Sequence, residues 1–276
     1  MNTPVTGNGG RRRRGTGTET GTVTAENMTV VVPDSKPASL RDKLLAMRDG
    51  VRAHFQERDR MIDLTLATML AGEHVLLLGA PGAAKSQLAR ALCAGIGDAQ
   101  YFGWLMTKFT EPNEIFGPVD LKAWTESGTY GRRMQGMLPT AEIVWLDEVF
   151  KANSAILNAL LSAINEREFH DAGVVHKIPL RTVLGASNEL PEGTELEALF
   201  DRFLMRIQTE YVRSPDAFAA LLLGNEPWFR SYLTLAEFDA LRAEAARVTI
   251  DRDVVSALFQ VRAVLLQEGI EVSDRR

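Results

Sequence analysis

The chain has 276 residues, of which 45% are hydrophobic, so it is long enough to bury a large core in one or two domains. Its formal charge of −5 argues against a broad nucleic-acid surface, which would normally make a protein basic. No stretch reaches the roughly 18 apolar residues that a membrane-spanning helix needs, and no apolar signal-peptide core follows Met1. The single cysteine, Cys93, cannot form an internal disulfide, which fits a reducing compartment. Together these features lead us to expect a cytoplasmic protein without a membrane span.

Residues 1–37 are rich in Thr, Gly and Arg and contain too few apolar residues to offset the entropy cost of ordering. Four consecutive arginines at positions 11–14 precede a Gly/Thr repeat rather than an apolar segment, so they do not fit an export signal. We expect a disordered, solvated tail that does not bind nucleic acid directly.

Two helices are predicted before the first strand. Apolar residues recur at helical spacing from Ser39 to Phe55 and again from Met61 to Met69, and Gly72 is expected to end the second helix. Residues 74–78 are a short apolar run, which is typical of a strand buried on both faces of a parallel sheet. A helix over 87–96 is predicted next. This order of strand, glycine-rich loop and helix is the context in which phosphate-binding loops occur.

Residues 79–86, GAPGAAKS, match the phosphate-binding pattern G-x-x-x-x-G-K-[ST] except for Ala84 in place of the second glycine. In such a loop, backbone N–H groups and the helix N-terminus attract phosphate, Lys85 supplies charge and Ser86 supplies an oxygen for Mg²⁺. Ala84 costs little if its φ is negative, whereas a positive φ would strain it by about 1 kcal/mol. The residues assigned to nucleotide binding are Gly79, Ala80, Pro81, Gly82, Ala83, Ala84, Lys85, Ser86 and Gln87.

A second motif, EIVWLDE over residues 142–148, is an apolar strand that ends in two carboxylates. We interpret Asp147 as a Mg²⁺ ligand and Glu148 as the residue that polarises the attacking water. The alternative is an Asp-Glu pair in an ordinary solvated turn, and the spacing of the two motifs favours the catalytic interpretation.

Further elements follow in order along the chain. Ser154 is predicted to cap a helix through Ile164, and residues 168–178 are predicted to form a β-hairpin with its turn near Gly173. Residues 181–187 form another apolar strand, with Asn188 at its end. After about residue 212 the pattern is helical and predicts a small lid, whose core we expect to contain Leu235, Phe238, Leu241, Val254, Leu258 and Val261.

Six segments together resemble the AAA+ ATPases of the MoxR class, most closely the RavA group, over about residues 40–276. They are GAPGAAKSQLARAL (79–92), LMTKFTEPNEIFGP (105–118), EIVWLDEVFKANSAILNALLSAINEREF (142–169), ASNELPE (186–192), ALFDRFLMRI (198–207) and VSDRR (272–276). The resemblance implies an α/β fold: an AAA+ P-loop core over 38–212, with a parallel sheet flanked by helices, followed by an all-helical lid over 213–276. It also implies that Ala84 is tolerated. Because relatives usually continue beyond the VSDRR segment, we expect the lid to be truncated.

The resemblance further implies roles for individual residues. Asn188 resembles sensor 1, which orients the lytic water, and Arg275 resembles sensor 2. Arg202 resembles an arginine finger that reaches the neighbouring subunit's nucleotide, with Arg206 as the second choice. A finger that acts in trans implies a ring, which we expect to be a hexamer.

The implied function is Mg²⁺-dependent ATP hydrolysis by a chaperone-like ring that remodels or assembles protein complexes, with a von Willebrand A-domain protein as a partner. In this class residues 105–138 are an insert facing the pore, where Tyr130, Arg132 and Arg133 form either a polypeptide-gripping loop or a plain turn with a solvated basic tip. Two alternatives remain: a nucleotide-dependent scaffold with little hydrolysis, and a DNA motor related to the MCM helicases.

Overall fold

A five-stranded parallel sheet forms the centre of the computed structural model, which describes residues 39–128, 130–224 and 230–270. The strands are β1 (Val75–Leu78), β2 (Tyr101–Leu105), β3 (Ile143–Asp147), β6 (Thr182–Ser187) and β7 (Met205–Gln208). Their order across the sheet is β2-β3-β6-β1-β7, and every neighbouring pair is parallel. All five strands therefore end at one edge of the sheet, the carboxyl edge, and begin at the opposite one, the amino edge.

Ten helices surround the sheet within the described residues. They are α1 (Leu40–Arg52), α2 (Asp59–Leu70), α3 (Lys85–Ala94), α4 (Pro112–Phe116), α5 (Leu121–Ser127), α6 (Ser154–Glu166), α7 (Thr194–Phe200), α8 (Pro215–Leu223), α9 (Leu235–Ala245) and α10 (Arg252–Gln267). The two helices before β1, the strand-loop-helix unit and the strand that precedes Asn188 are confirmed. The predicted cap of α6 was wrong by one residue, because the side chain of Asn153, not Ser154, accepts a hydrogen bond from the Ile156 N–H at 3.2 Å.

A separate antiparallel hairpin, β4 (Glu168–Asp171) and β5 (Val174–Lys177), turns at Ala172 and Gly173 as predicted. Both turn residues have positive φ, 48° and 81°, which is the conformation that a two-residue hairpin turn of this hand requires.

The core consists of two hydrophobic clusters, one on each face of the sheet. Val75 and Leu77 belong to the first, which includes residues of α1, α2, α3 and α9, whereas Leu76 belongs to the second, around α6 and the segment before β3. Successive side chains of a strand point to opposite faces, so β1 contributes to both clusters. The continuous apolar run at 75–77 thus indicated a strand covered on both sides.

The helices after residue 212 differ greatly in burial. In α9, Phe238 and Leu241 lie in the same cluster as Met47 of α1, as expected of core residues. In α10, Val254, Leu258 and Val261 are 50%, 58% and 57% exposed, so their assignment to the core was wrong. Apolar spacing identifies the face of a helix that can be buried, but it does not say which element covers that face.

Cys93 lies inside α3 within the first cluster and is 7% exposed. Its burial among apolar side chains raises the pKa of the thiol above its ordinary value.

Among the described residues, no helix combines the length and apolarity needed to cross a bilayer.

Candidate functional site

Three segments of the sequence meet at the carboxyl edge of the sheet. The glycine-rich loop follows β1. Asp147 is the last residue of β3, and Glu148 comes directly after it. Asn188 follows β6, which lies between β1 and β3 in the sheet. The Ser86 hydroxyl donates to Asp147 Oδ2 at 2.8 Å, and Lys85 Nζ donates to Asn188 Oδ1 at 2.8 Å. The structure therefore brings the candidate residues from three strands into direct contact.

The loop enters α3 through a left-handed residue. Ala84 has φ 60° and ψ 20° and stands directly before the first residue of the helix. The positive-φ alternative therefore applies, and this alanine carries a strain of about 1 kcal/mol that glycine would avoid. No side chain at this position caps the helix, so the first-turn N–H groups of α3 face the loop as possible phosphate donors.

Gly79 is the loop position that most requires glycine. Its φ is 141°, and a Cβ there would lie 2.3 Å from the Thr209 carbonyl oxygen. The Gly79 N–H donates to Ser187 O at 3.1 Å. The beginning of the loop is thus held tightly between the ends of β6 and β7.

Lys85 is buried although it carries a charge. Its ammonium group donates to the carbonyl oxygens of Gly79 and Ala80, the latter at 3.0 Å, in addition to Asn188. Burial lowers the pKa of Lys85, and the nearby charges of Asp147 and Glu148 act in the opposite direction. A cation held this closely against the loop is suited to contact an anion bound there.

Glu148 stands at a strained position immediately after β3. Its φ is 51°, and it begins a short 3-10 turn (Val149–Lys151) that returns the chain toward the site. Its Oε1 accepts a hydrogen bond from Asn188 Nδ2, and its Oε2 lies 3.4 Å from Lys151 Nζ. Lys85, Asn188, Glu148 and Lys151 therefore form one continuous network.

The two candidate finger arginines differ in their contacts. The Arg206 guanidinium lies over the Phe200 ring, 3.7 Å from its centroid, and one of its nitrogens is 3.7 Å from Asp201 Oδ1. The Arg202 guanidinium has neither an ion pair nor a hydrogen bond to any described residue. Of the two, Arg206 is therefore the one with an aromatic and a charged neighbour, and the Nε of both is buried. Arg275 lies outside the described residues, as does the 1–37 tail.

Several contacts around the loop had no signal in the sequence. The Tyr211 hydroxyl donates to Pro81 O at 3.0 Å, and the buried Arg58 donates to Glu210 O at 2.5 Å. The Glu57 carboxylate accepts from the backbone N–H groups of residues 213 and 214, which lowers its pKa. Tyr211, Glu57 and Arg58 line a cavity of about 460 Å³, so the phosphate loop is connected to the wall of that cavity.

The two arginines of the segment between β2 and β3 differ: Arg132 is fixed by contacts, and Arg133 is solvated. Arg132 donates to Asp171 Oδ1 at 3.1 Å, to Asn113 Oδ1 at 2.6 Å and to Gly117 O at 2.8 Å, so it joins this segment to the β4–β5 hairpin. Arg133 is exposed. The side chains of Trp124 and Tyr130 are 52% and 40% exposed. Their rings contact each other edge to face, with 6.1 Å between the ring centroids. Thr129 between them lies outside the described residues.

Residues 42–255 match the sequence model of a family described as the MoxR domain in the MoxR-vWA-beta-propeller ternary systems. Two uncharacterized proteins of Methanocaldococcus jannaschii are 42% identical over 240 residues and 44% identical over 231 residues. These alignments cover 87% and 83% of this chain, and 63% and 61% of the relatives. The chain thus spans less than two thirds of the length of these relatives.

Two other similarities are more distant. The uncharacterized protein YeaC of Bacillus subtilis is 32% identical over 208 residues, covering 72% of this chain and 63% of that protein. The crystal structure of a candidate ATPase from Cytophaga hutchinsonii is similar with a TM-score of 0.64 and 21% identity, over 80% of this chain and 68% of that one. This structural similarity confirms the predicted fold class, a P-loop core with a parallel sheet flanked by helices and followed by further helices.

Proposed function

The chain belongs to the MoxR family of AAA+ ATPases, and from this premise we propose that it hydrolyses ATP in the presence of Mg²⁺ to remodel or assemble protein complexes. The observation that supports the proposal most strongly is the network at the carboxyl edge. A cation, a hydroxyl group, two carboxylates and an amide meet there beyond the ends of three strands: Ser86 bonds to Asp147, and Asn188 bonds to both Lys85 and Glu148.

We assign phosphate binding to the loop 79–84, Lys85 and the first turn of α3. The backbone N–H groups and the ammonium group donate to phosphate oxygens, and the helix N-terminus adds positive potential. Ser86 and Asp147 fit a magnesium site, because hydroxyl and carboxylate oxygens are the ligands that Mg²⁺ prefers, and their oxygens are 2.8 Å apart. A Mg²⁺ ion held there with ATP would neutralise charge on the phosphate oxygens.

Glu148 is assigned as the general base. Its carboxylate takes a proton from water as the water oxygen bonds to the γ-phosphorus and the bond to the β-phosphate bridging oxygen breaks, which gives ADP and inorganic phosphate. Asn188 contacts both Lys85 and Glu148, which supports the assignment of its amide to orient that water. Arg202, whose guanidinium has no ion pair with a described residue, is assigned to the nucleotide of a neighbouring subunit, where it stabilises the transition-state charge.

This arrangement implies a ring of subunits, which we propose to be a homo-hexamer. The family description names vWA and beta-propeller components, so we propose proteins with such domains as partners. Within the family we place the chain nearest the RavA group. Trp124 and Tyr130 offer partly exposed aromatic surface, and we assign them to contact with a polypeptide client.

Steady-state ATP hydrolysis over a range of protein concentrations, with Mg²⁺ present, tests the proposed function. We expect a specific activity that rises with concentration as subunits assemble, and a loss of 10²- to 10⁴-fold in Glu148→Gln with ATP binding retained. Glu166→Gln, an exposed glutamate on α6, is the matched control and should keep full activity. Tight ATP binding without turnover by the wild-type chain would contradict the proposal and support the scaffold alternative.

Mixing two inactive variants tests the shared site. Arg202→Ala cannot supply a finger and Lys85→Ala binds nucleotide too weakly to be occupied, but a mixed ring places an intact Arg202 beside an intact phosphate loop. We expect hydrolysis to reappear in the mixture, whereas failure to complement would count against a finger that acts in trans.

A further inference from the structure

Two residues from different parts of the fold contact the carboxylate of Glu148, one at each oxygen. Asn188, at the end of β6, donates to Oε1, and Lys151, at the end of the 3-10 turn, approaches Oε2 at 3.4 Å. The glutamate side chain is only 14% exposed, so few waters compete for these oxygens. Both oxygens of the proposed base are therefore contacted by other residues of the chain.

Local backbone geometry fixes the position of Lys151. Its N–H donates to the Glu148 carbonyl oxygen at 2.8 Å, which closes the turn between the two residues. Two residues later, Asn153 caps α6 and also donates to Thr110 O at 2.8 Å. The segment is thus anchored on both sides of Lys151, and among the described residues the Lys151 ammonium group pairs with Glu148 alone.

This ion pair contributes little to the stability of the fold. The Lys151 side chain is 44% exposed, and exposed or half-exposed pairs at i,i+3 spacing typically stabilise proteins by less than about 1 kcal/mol. Its effect on the carboxylate is different in kind. With Oε2 drawn toward Lys151 and Oε1 bonded to Asn188, the carboxylate plane cannot rotate freely, and each oxygen still has a lone pair that can accept a proton from water.

We propose that Lys151 is a positioning residue that holds the carboxylate of Glu148 in the orientation needed to deprotonate the attacking water. The inference rests on the proposed ATP hydrolysis and adds to it a residue that acts through Glu148 without touching the nucleotide. An ammonium group suits this task because it attracts a carboxylate oxygen without demanding one hydrogen-bond direction. Lys151 then defines the side of the carboxylate opposite Asn188.

Three variants test the proposal in the full chain. Lys151→Met keeps the aliphatic length and removes the charge, Lys151→Arg keeps the charge, and Lys177→Met removes an exposed lysine from β5 as the matched control. The measurements are kcat and KM for ATP, the Kd of ATP and the thermal unfolding midpoint of each protein.

We expect kcat to fall by about 10- to 100-fold in Lys151→Met, because misplacement of a catalytic group by about 1 Å costs up to that much. The KM, the Kd of ATP and the unfolding midpoint should stay close to those of the wild type. Lys151→Arg should recover most of the rate, and Lys177→Met should equal the wild type. In single-turnover assays, adding Lys151→Met to Glu148→Gln should reduce the residual rate by less than twofold, since the two residues act as one unit.

Distinct results would overturn the inference. A kcat in Lys151→Met that is unchanged or raised would do so, as would a further tenfold loss in the Glu148→Gln background, which would mean that Lys151 acts independently of Glu148. A lowered unfolding midpoint in both Lys151→Met and Lys151→Arg, with a parallel loss of ATP binding, would indicate a structural role instead. Wild-type protein that binds ATP but never hydrolyses it would overturn the proposed function together with this inference, whereas normal turnover in Lys151→Met would overturn the inference alone.

Discussion

The two edges of the central sheet use polar residues in opposite ways. At the carboxyl edge, Ala84 and Glu148 have left-handed backbones, and Lys85 and Asn188 bond to groups that a bound nucleotide would replace as partners. At the amino edge, the polar contacts join one element to another. Arg181 forms two hydrogen bonds, of 2.9 and 2.8 Å, to Asp239 of α9. Left-handed backbones occur at both edges, since Arg167 at the amino edge has φ 57°. Exchangeable partners, however, lie where chemistry is proposed, and fixed contacts lie at the other end of the same strands.

His74 shows how closely the amino edge is packed. Its Nδ1 accepts the Val183 N–H at 3.0 Å, and Arg167 Nη1 lies 2.8 Å from its Nε2. Arg167 also donates to Ile164 O at 2.8 Å and to Gly72 O at 3.1 Å. Burial, together with the neighbouring guanidinium charge, lowers the pKa of His74 to about 3. The imidazole is therefore neutral in the folded protein at neutral pH.

The largest effect we expect comes from breaking the carboxyl edge at Lys85. Lys85→Ala removes a charge-assisted contact to phosphate, which should weaken ATP binding by about 100-fold or more while the fold persists. Isothermal titration with ATP measures the change, and Lys122→Ala, on an exposed helix face, is the matched control. An unchanged ATP affinity in Lys85→Ala would contradict the assignment of the phosphate site.

A second prediction tests the amino edge through pH. His74 has a pKa near 6.5 in the unfolded chain and of about 3 in the folded protein, so at intermediate pH the unfolded chain binds the proton more readily. The contribution of neutral His74 to the free energy of unfolding is therefore fully present above pH 6.5 and is lost as the pH falls toward 3. We expect this group to reduce the free energy of unfolding by roughly 1 kcal/mol per pH unit between pH 6 and pH 4. Urea unfolding across that range measures the slope.

The matched variants for this test are His74→Asn, whose amide oxygen can still accept the Val183 N–H, and His170→Asn on the exposed hairpin. The first should flatten the pH dependence and the second should leave it unchanged. If the free energy of unfolding depends on pH equally in the wild type and in His74→Asn, packing at the amino edge does not lower the pKa of His74.

The smallest effect concerns strain at the carboxyl edge. Ala84→Gly relieves the left-handed alanine, so we expect a gain of about 0.5 to 1 kcal/mol in the free energy of unfolding with ATP affinity nearly unchanged. Ala83→Gly, one residue earlier at a buried position without positive φ, should be destabilising by a similar amount. A loss of stability in both variants would show that Ala84 is not strained.

The contrast between the edges also explains what the sequence could predict. The three strands that carry the candidate site, β1, β3 and β6, are apolar and interior, and the residues at their ends must meet because parallel strands end together. The outer strands β2 and β7 were not predicted. Gly103 interrupts the apolar run of β2, and polar and apolar residues alternate in β7, whose sequence is MRIQ. An edge strand has no neighbour on one side and so need not carry a continuous apolar run.

Contacts between side chains were harder to predict than strands. The contact of Arg206 with the Phe200 ring depends on packing, and the strain at Ala84 depends on its φ angle. The approach of Lys151 to Glu148 follows from a 3-10 turn that no motif specifies. Such contacts depend on tertiary packing, which overrides local sequence preference.

The burial of Cys93 has a practical consequence for studying assembly. The thiolate is the reactive form of cysteine, and a buried thiol with a raised pKa supplies very little of it at neutral pH. Because the sequence contains no other cysteine, a Val174→Cys substitution at the exposed hairpin should react selectively with a maleimide dye without removal of the native residue. Two preparations labelled with donor and acceptor fluorophores would then report the exchange of subunits by energy transfer in real time.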